Sequence, residues 1–228
     1  MSELPAGRLD NPVYSSLTGR HASFAEILGG ARRYPASIGP FMALPDEPTE
    51  QDWLDATELV GRGSTAALIR PEFVVPDTWK LVQQFELVQL AAGKGIGADD
   101  PELIVLGEPD VPDMLALTEE TRPGPFGPRT YELGRYVGLR EDDELIAMAG
   151  VRFHPPGWTE ISAVCTAPAN RGRGLATRLI RAVIADIERA DDNAFLHTGA
   201  TNTGAIALYQ ALGFTVTQDL KVTVLQPR

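Results

Sequence analysis

The residues of this chain best suited to chemistry are Arg171-Gly172-Arg173-Gly174-Leu175-Ala176, which stand between a β-branched run and an amphipathic helical pattern. The order is strand, Pro-marked turn at Ala167-Pro168, Gly/Arg loop, helix start. The first amides of a helix have no intrahelical acceptor, and together with the helix dipole they make a ready anion site. Gly172 and Gly174 let the backbone approach a diphosphate with no Cβ in the way. Arg171 and Arg173 either add charge there or lie in solvent. A nucleotide-hydrolysing loop is disfavoured, because Leu175-Ala176 occupies the place of the required Lys-Ser/Thr pair. An RNA-binding Arg/Gly segment is disfavoured too, since the run occurs once and leads into a helix in an acidic chain.

A second constellation follows in His197-Thr198-Gly199-Ala200-Thr201-Asn202 and the helical stretch to Leu212-Gly213-Phe214. Asn202 falls at the helix start and Tyr209 two turns later, so both can face one side. Taken singly, Asn202 reads equally well as an N-cap and Tyr209 as a half-buried core residue.

These residues need a scaffold. The pattern predicts strands over 103–106, 136–140, 145–153, 159–166, 195–199, 214–218 and 222–225, and helices over 111–120, 174–189 and 204–212. On the longest helix Leu175, Leu179, Val183, Ile184 and Ile187 form one apolar face directed at a sheet. The result is an α/β arrangement with a mixed sheet. Before it, residues 1–92 carry short apolar segments broken by Pro and Gly, with extended stretches over 65–69 and 79–90, the second equally compatible with a helix by its period. Ala91 to Pro101 reads as a linker. Its glycines mimic a phosphate loop but run into Asp99-Asp100-Pro101, whose carboxylates would repel a phosphate.

Together, the loop and the Asn202–Tyr209 helix resemble the GNAT superfamily of N-acetyltransferases. Its diphosphate loop has the form Arg/Gln-x-x-Gly-x-Gly/Ala, which Arg171 to Ala176 matches at each fixed position; Leu208-Tyr209-Gln210-Ala211-Leu212-Gly213-Phe214 matches its second hallmark. The stretch from Ile161 to Ala176 looks especially like the branch that includes the acyltransferase half of glycine N-acyltransferases. The resemblance covers about Pro101 to Arg228, and it implies a GNAT-like, mostly antiparallel sheet with flanking helices. It implies two regions: 1–100, accessory or a degenerate copy of the same fold, and 101–228, the N-acetyltransferase domain.

The resemblance also implies an enzyme using acetyl-CoA as co-substrate, without a metal, to acylate a primary amine in a ternary complex. By the same carry-over, the backbone of Val164, Cys165 and Thr166 would meet the pantetheine arm, with the Val164 amide polarising the thioester carbonyl. The loop from Arg171 through Gly172, Arg173, Gly174, Leu175 and Ala176 to Thr177 would hold the diphosphate, and Asn202 would touch the arm. Tyr209 would protonate the leaving thiolate, and Glu160 would deprotonate the amine directly or through water. Strand alternation would put Glu160, Ser162, Val164 and Thr166 on one side unless a bulge intervenes. The stiff loop 122–129, with Phe126 between prolines, would line the acceptor pocket. A non-catalytic, CoA-binding sensor is the alternative.

Bulk composition limits the partners. A formal net charge of −11 argues against nucleic acid and anionic membrane and suits a cationic acceptor, whether a small molecule or a peptide amine. Cys165 is the single cysteine, so no internal disulfide forms. In an apolar strand it reads as a buried thiol rather than a nucleophile. With no basic, apolar leader at Met1-Ser2-Glu3 and no long apolar run, a cytoplasmic location is expected. His21, His154 and His197 lack metal-ligand spacing; His154 is expected at an exposed turn, and His197 near the cleft as an auxiliary acid or base.

Overall fold

The computed structural model describes residues 9–228. In chain order the elements are α1 (Pro12–Leu17), β1 (Glu26–Leu28), β2 (Ala31–Arg33), β3 (Met42–Ala43), α2 (Glu50–Val60), β4 (Ala66–Arg70), β5 (Trp79–Ala92) and β6 (Ile104–Leu106). There follow α3 (Val111–Thr121), β7 (Tyr136–Glu141), β8 (Glu144–Val151), β9 (Trp158–Thr166), α4 (Leu175–Arg189), β10 (Asn193–Gly199), α5 (Thr203–Ala211) and β11 (Phe214–Pro227).

One eight-stranded sheet runs in the order β4-β11-β5-β10-β9-β8-β7-β6, and a three-stranded sheet holds β1-β2-β3. Within the large sheet the β9–β10 pair is parallel and the other neighbours are antiparallel. Strands from both sides of residue 100 share this sheet, because β5 lies between β10 and β11. Where two C-terminal strands are expected after residue 213, one strand runs through. Its register with β5 shifts between Val216 and Gln218, so a bulge absorbs the polar Thr217 without ending the strand.

Alternation along the strands gives the sheet two different faces. On one, Leu175, Leu179, Ile180, Val183, Ile184 and Ile187 of α4 pack against Leu90, Ile161 and Leu196, as the helical period requires. On the other, Phe153, Trp158 and Phe195 meet Tyr34, Ile38 and Phe41 from the N-terminal part. Beside them Met114 and Leu117 of α3 cover Met148, Ala163 and Cys165. The segment after β5 is strapped to the outside of α4: Gly95 N–H donates to Glu188 and Ala98 N–H to the Arg181 carbonyl, and Asp100 pairs with Arg178 at 2.6 Å.

His154 is not at an exposed turn. Its ring meets that of His21 edge to face at 4.8 Å, and both Nε2 atoms reach the Leu133 carbonyl, at 3.0 and 3.3 Å. The Tyr34 hydroxyl donates to His21 Nδ1 at 2.7 Å. Burial first, then the neighbouring His154 and Arg20, hold His21 down to about 4. An unfolded chain protonates this residue near 6.5, so between those pH values the unfolded state binds the extra proton. The stabilisation is therefore complete above 6.5 and is lost as pH falls towards 4. The acid-induced loss from His21 alone is expected to be about 3 kcal/mol. Urea titrations at pH 7.5 and pH 5 should show the midpoint falling on acidification, and falling less in His21→Asn.

Candidate active site

The sheet opens between β9 and β10. Their parallel register runs Asn193↔Trp158, Ala194↔Thr159, Phe195↔Glu160 and Leu196↔Ile161, and then stops although both strands continue. Beyond that point His197 to Gly199 pair with β5, while Ser162 to Thr166 have a partner strand on the β8 side. A wedge with a main-chain edge on each wall results.

Ala163 shapes one wall. It adopts φ 52, and the β8–β9 register slips from Gly150↔Ser162 to Met148↔Cys165, one extra residue on β9. This bulge corrects the expected alternation. Val164 packs with the α4 layer, whereas Ala163 and Cys165 face α3. Val164 thus no longer shares a face with Glu160. Cys165 is buried, and burial pushes its thiol up to about 11, which suits a packed thiol and not a nucleophile.

At the end of β9 the chain turns through Pro168–Asn170 into α4, capped by Gly174 with no side-chain cap bond. Gly172 and Gly174 sit at φ 78 and 76, a region that favours glycine, and a Cβ at either would meet open space. Their role is conformational: they turn successive N–H groups outward. Among the described residues no hydrogen bond begins at the amides of Gly172 through Thr177; the first in the helix is from Arg178 to the Gly174 carbonyl. Arg171 reaches back to the Thr166 carbonyl at 3.4 Å. Arg173 pairs with Glu141 at 2.9 Å, and Asn170 donates to the same carboxylate.

Across the wedge Asn202 caps α5, its Oδ1 accepting from Ala205 N–H at 3.2 Å, which leaves the amide nitrogen outward on an exposed residue. Tyr209 is buried in the α4-side layer, 5.7 Å from the Phe214 ring, and burial pushes its phenol up to about 12, so the proton stays on oxygen. The loop from Arg122 to Arg129, expected to line an acceptor pocket, packs on the sheet and on the N-terminal part. Phe126 packs edge to face on Tyr136 at 5.6 Å, and the Arg129 amide is tied to the Ser37 carbonyl.

Glu160 departs from its expected role. Its side chain has 0% exposure; Arg152 donates to it through two nitrogens at 2.8 and 2.7 Å, and His197 Nδ1 lies at 2.6 Å. Burial acts to raise this carboxyl, but the Arg152 charge and hydrogen bonds, then those of His197, outweigh it and hold the group near 2. A carboxylate so held takes up protons poorly, so Glu160 fits an ion-pair role rather than a base. His197 is also committed. Gln89 Nε2 donates to its Nε2 at 3.0 Å, which puts the ring proton on the Nδ1 that faces Glu160. Arg152, which sequence reasoning did not single out, lies over the Phe41 and Phe153 rings at 5.0 and 4.6 Å, beside that edge-to-face pair.

Known proteins share this architecture. Residues 136–222 match the family model for FR47-like proteins. A solved structure from Novosphingobium aromaticivorans, described as an acetyltransferase of the GNAT family, is 37% identical with TM-score 0.89, covering 97% of this chain and 99% of that one. A GCN5-related N-acetyltransferase from Kribbella flavida has the same fold, with TM-score 0.63 at 17% identity, covering 98% and 96%. The mycothiol acetyltransferase of Renibacterium salmoninarum is 29% identical over 71% of this chain, which spans 45% of that protein's length. The N-alpha-acetyltransferase RimI of Mycobacterium tuberculosis is 34% identical over 35% of this chain and 51% of its own length. Two of these relatives are named a mycothiol acetyltransferase and an N-alpha-acetyltransferase; none of the four is named a glycine N-acyltransferase.

The buried ion pair makes a stability prediction. Arg152→Met leaves the Glu160 carboxylate without its main partner and should cost about 3–5 kcal/mol at neutral pH. Chemical denaturation monitored by far-ultraviolet dichroism checks it. The deficit should shrink at acid pH, where a protonated Glu160 no longer needs the guanidinium.

Proposed function

The chain belongs to the GNAT family of acetyltransferases, and from that premise we propose that it moves an acetyl group from acetyl-CoA to a primary amine by direct attack in a ternary complex. The observation behind this reading is the wedge between β9 and β10 with unpartnered amides at its mouth. An acyl-pantetheine arm lies in the gap as an added strand, held by the main chain of Val164, Cys165 and Thr166. The Val164 amide polarises the thioester carbonyl, a donor of a kind worth about 3 kcal/mol in a transition state. The amides from Gly172 to Thr177 take the diphosphate, with Arg171 and Arg173 at its flank. The outward amide nitrogen of Asn202 meets the arm. The amine attacks as its free base, and the nitrogen sheds its extra proton to water as the C–N bond forms and the C–S bond breaks. Tyr209 gives its proton to the departing thiolate.

The acceptor enters on the face walled by α3, the 122–129 loop and the N-terminal region. Residues 1–100 are read as an accessory region on the acceptor side, except that β5 is an interior strand of the shared sheet. The acidic balance of the chain favours a cationic amine, small molecule or peptide. Among the described residues no helix is long and apolar enough to cross a membrane. That, with one buried thiol, is consistent with the cytoplasmic location we propose.

One observation favours a second reading, a CoA-binding sensor without catalysis: the carboxylate expected as base is locked to Arg152. Tyr209→Phe separates the two. For the enzyme, turnover in a thiol-release assay with an amine panel should fall about a hundredfold while the dissociation constant for CoA stays within twofold. Turnover that is absent in the native chain, with CoA bound, selects the sensor. Gly174→Ala places a Cβ on a left-handed residue at the amide cluster, and should weaken CoA about tenfold or more by calorimetry.

A further inference from the structure

Around the last β9–β10 pair, a buried polar row crosses the sheet. Arg152 at the end of β8 holds Glu160 of β9; Glu160 accepts from His197 of β10; His197 accepts from Gln89 of β5; and Gln89 Oε1 accepts from Thr217 and Gln218 of β11. Gln89 has 0% exposure and the His197 side chain 2%. The link between β9 and β10 is special. Glu160 lies one residue before the end of the parallel pairing and His197 one residue past it, so their 2.6 Å contact spans the apex where the main chain stops joining the strands. Every other neighbouring pair in the row is also held by main-chain pairing of the same strands.

We propose that the Glu160–His197 contact, anchored by Arg152 and Gln89, is a pin that sets the width of the wedge, making His197 and Glu160 positioning residues for the acyl-pantetheine arm. This rests on the CoA-binding reading of the wedge. The geometry follows from low-dielectric electrostatics: a buried imidazole N–H facing a carboxylate has no solvent to exchange with, so its length is held more tightly than a surface contact. Without the pin the β10 end from His197 to Gly199 follows β5 alone. The wall carrying Asn202 then moves relative to Val164, whereas the diphosphate loop, on β9 and α4, stays in place.

The test compares two ligands on the full chain: CoA, and adenosine 3′-phosphate 5′-diphosphate, which keeps the diphosphate and lacks the arm. In His197→Ala the dissociation constant for CoA should rise about tenfold or more, and that for the armless nucleotide should stay within twofold. His197→Asn, whose amide can still donate to Glu160, should recover most of the loss. Glu160→Ala should behave like His197→Ala, and Glu160→Gln, whose amide oxygen still accepts from His197, should keep CoA affinity with the pH profile of turnover unchanged in shape. Equal weakening of both ligands in His197→Ala would mean general damage and overturns the pin, as does no change in either. Loss of the acidic limb of the pH profile in Glu160→Gln, with CoA affinity intact, makes Glu160 the base and overturns it as well. A native chain that binds neither ligand removes the CoA reading itself, a result distinct from both.

Discussion

The structure turns on the point where β9 and β10 stop pairing. A strand interior to a sheet ordinarily has both main-chain edges satisfied, since unpaired buried N–H and C=O groups are costly. Here the parallel register ends at Ile161/Leu196, and each strand keeps a partner on its outer side while its inner edge turns to the gap. Hydrophobic layers make this affordable. Ile161 and Leu196 are locked under α4, and Phe195 and Trp158 under the N-terminal region, so the strands are fixed just before they part. The Ala163 bulge then bends β9 away and rotates Val164 toward the α4 layer.

The mouth of the gap depends on the same principle carried to a helix end. Amides that open a helix cannot be satisfied within it. With Gly174 as cap and no side chain reaching back, α4 leaves them facing outward, with the positive end of the helix dipole behind them. The contrast with α5 is informative: Asn202 satisfies one amide there and keeps its other side-chain group free. One helix start thus leaves its amides facing outward, and the other caps itself and keeps a side-chain donor.

Much of this was legible in the residues, and the reasons are local. Gly172 and Gly174 mark the loop because no other residue takes φ 78 and 76 without strain, and α4 declares itself through one continuous apolar face. The N-terminal part was less legible. Its helix α2 carries a usable signal, Thr49 with Asp52 three residues on as a capping box, and Trp53, Ala56 and Val60 on the buried side. Flanking prolines and glycines drew the reading toward irregular chain instead. The role of Glu160 was not legible at all. Its strand position is correct, but its partners come from residues 8 and 37 positions away, Arg152 and His197, and nothing in local pattern announces that two other strands will bring charge and a proton donor to it.

That last case shows what a buried ion pair does to a carboxylate. Burial alone would push Glu160 toward a raised affinity for protons, the usual route to a general base. The same burial strengthens its attraction to Arg152, and that guanidinium lies against two aromatic rings that accept a cation. The outcome is decided by the pairing, which holds the carboxyl near 2. A group in that state gives up the capacity to exchange protons near neutrality. In return it gains a directional hold on a ring N–H, the property required where two strands are left without main-chain bonds between them.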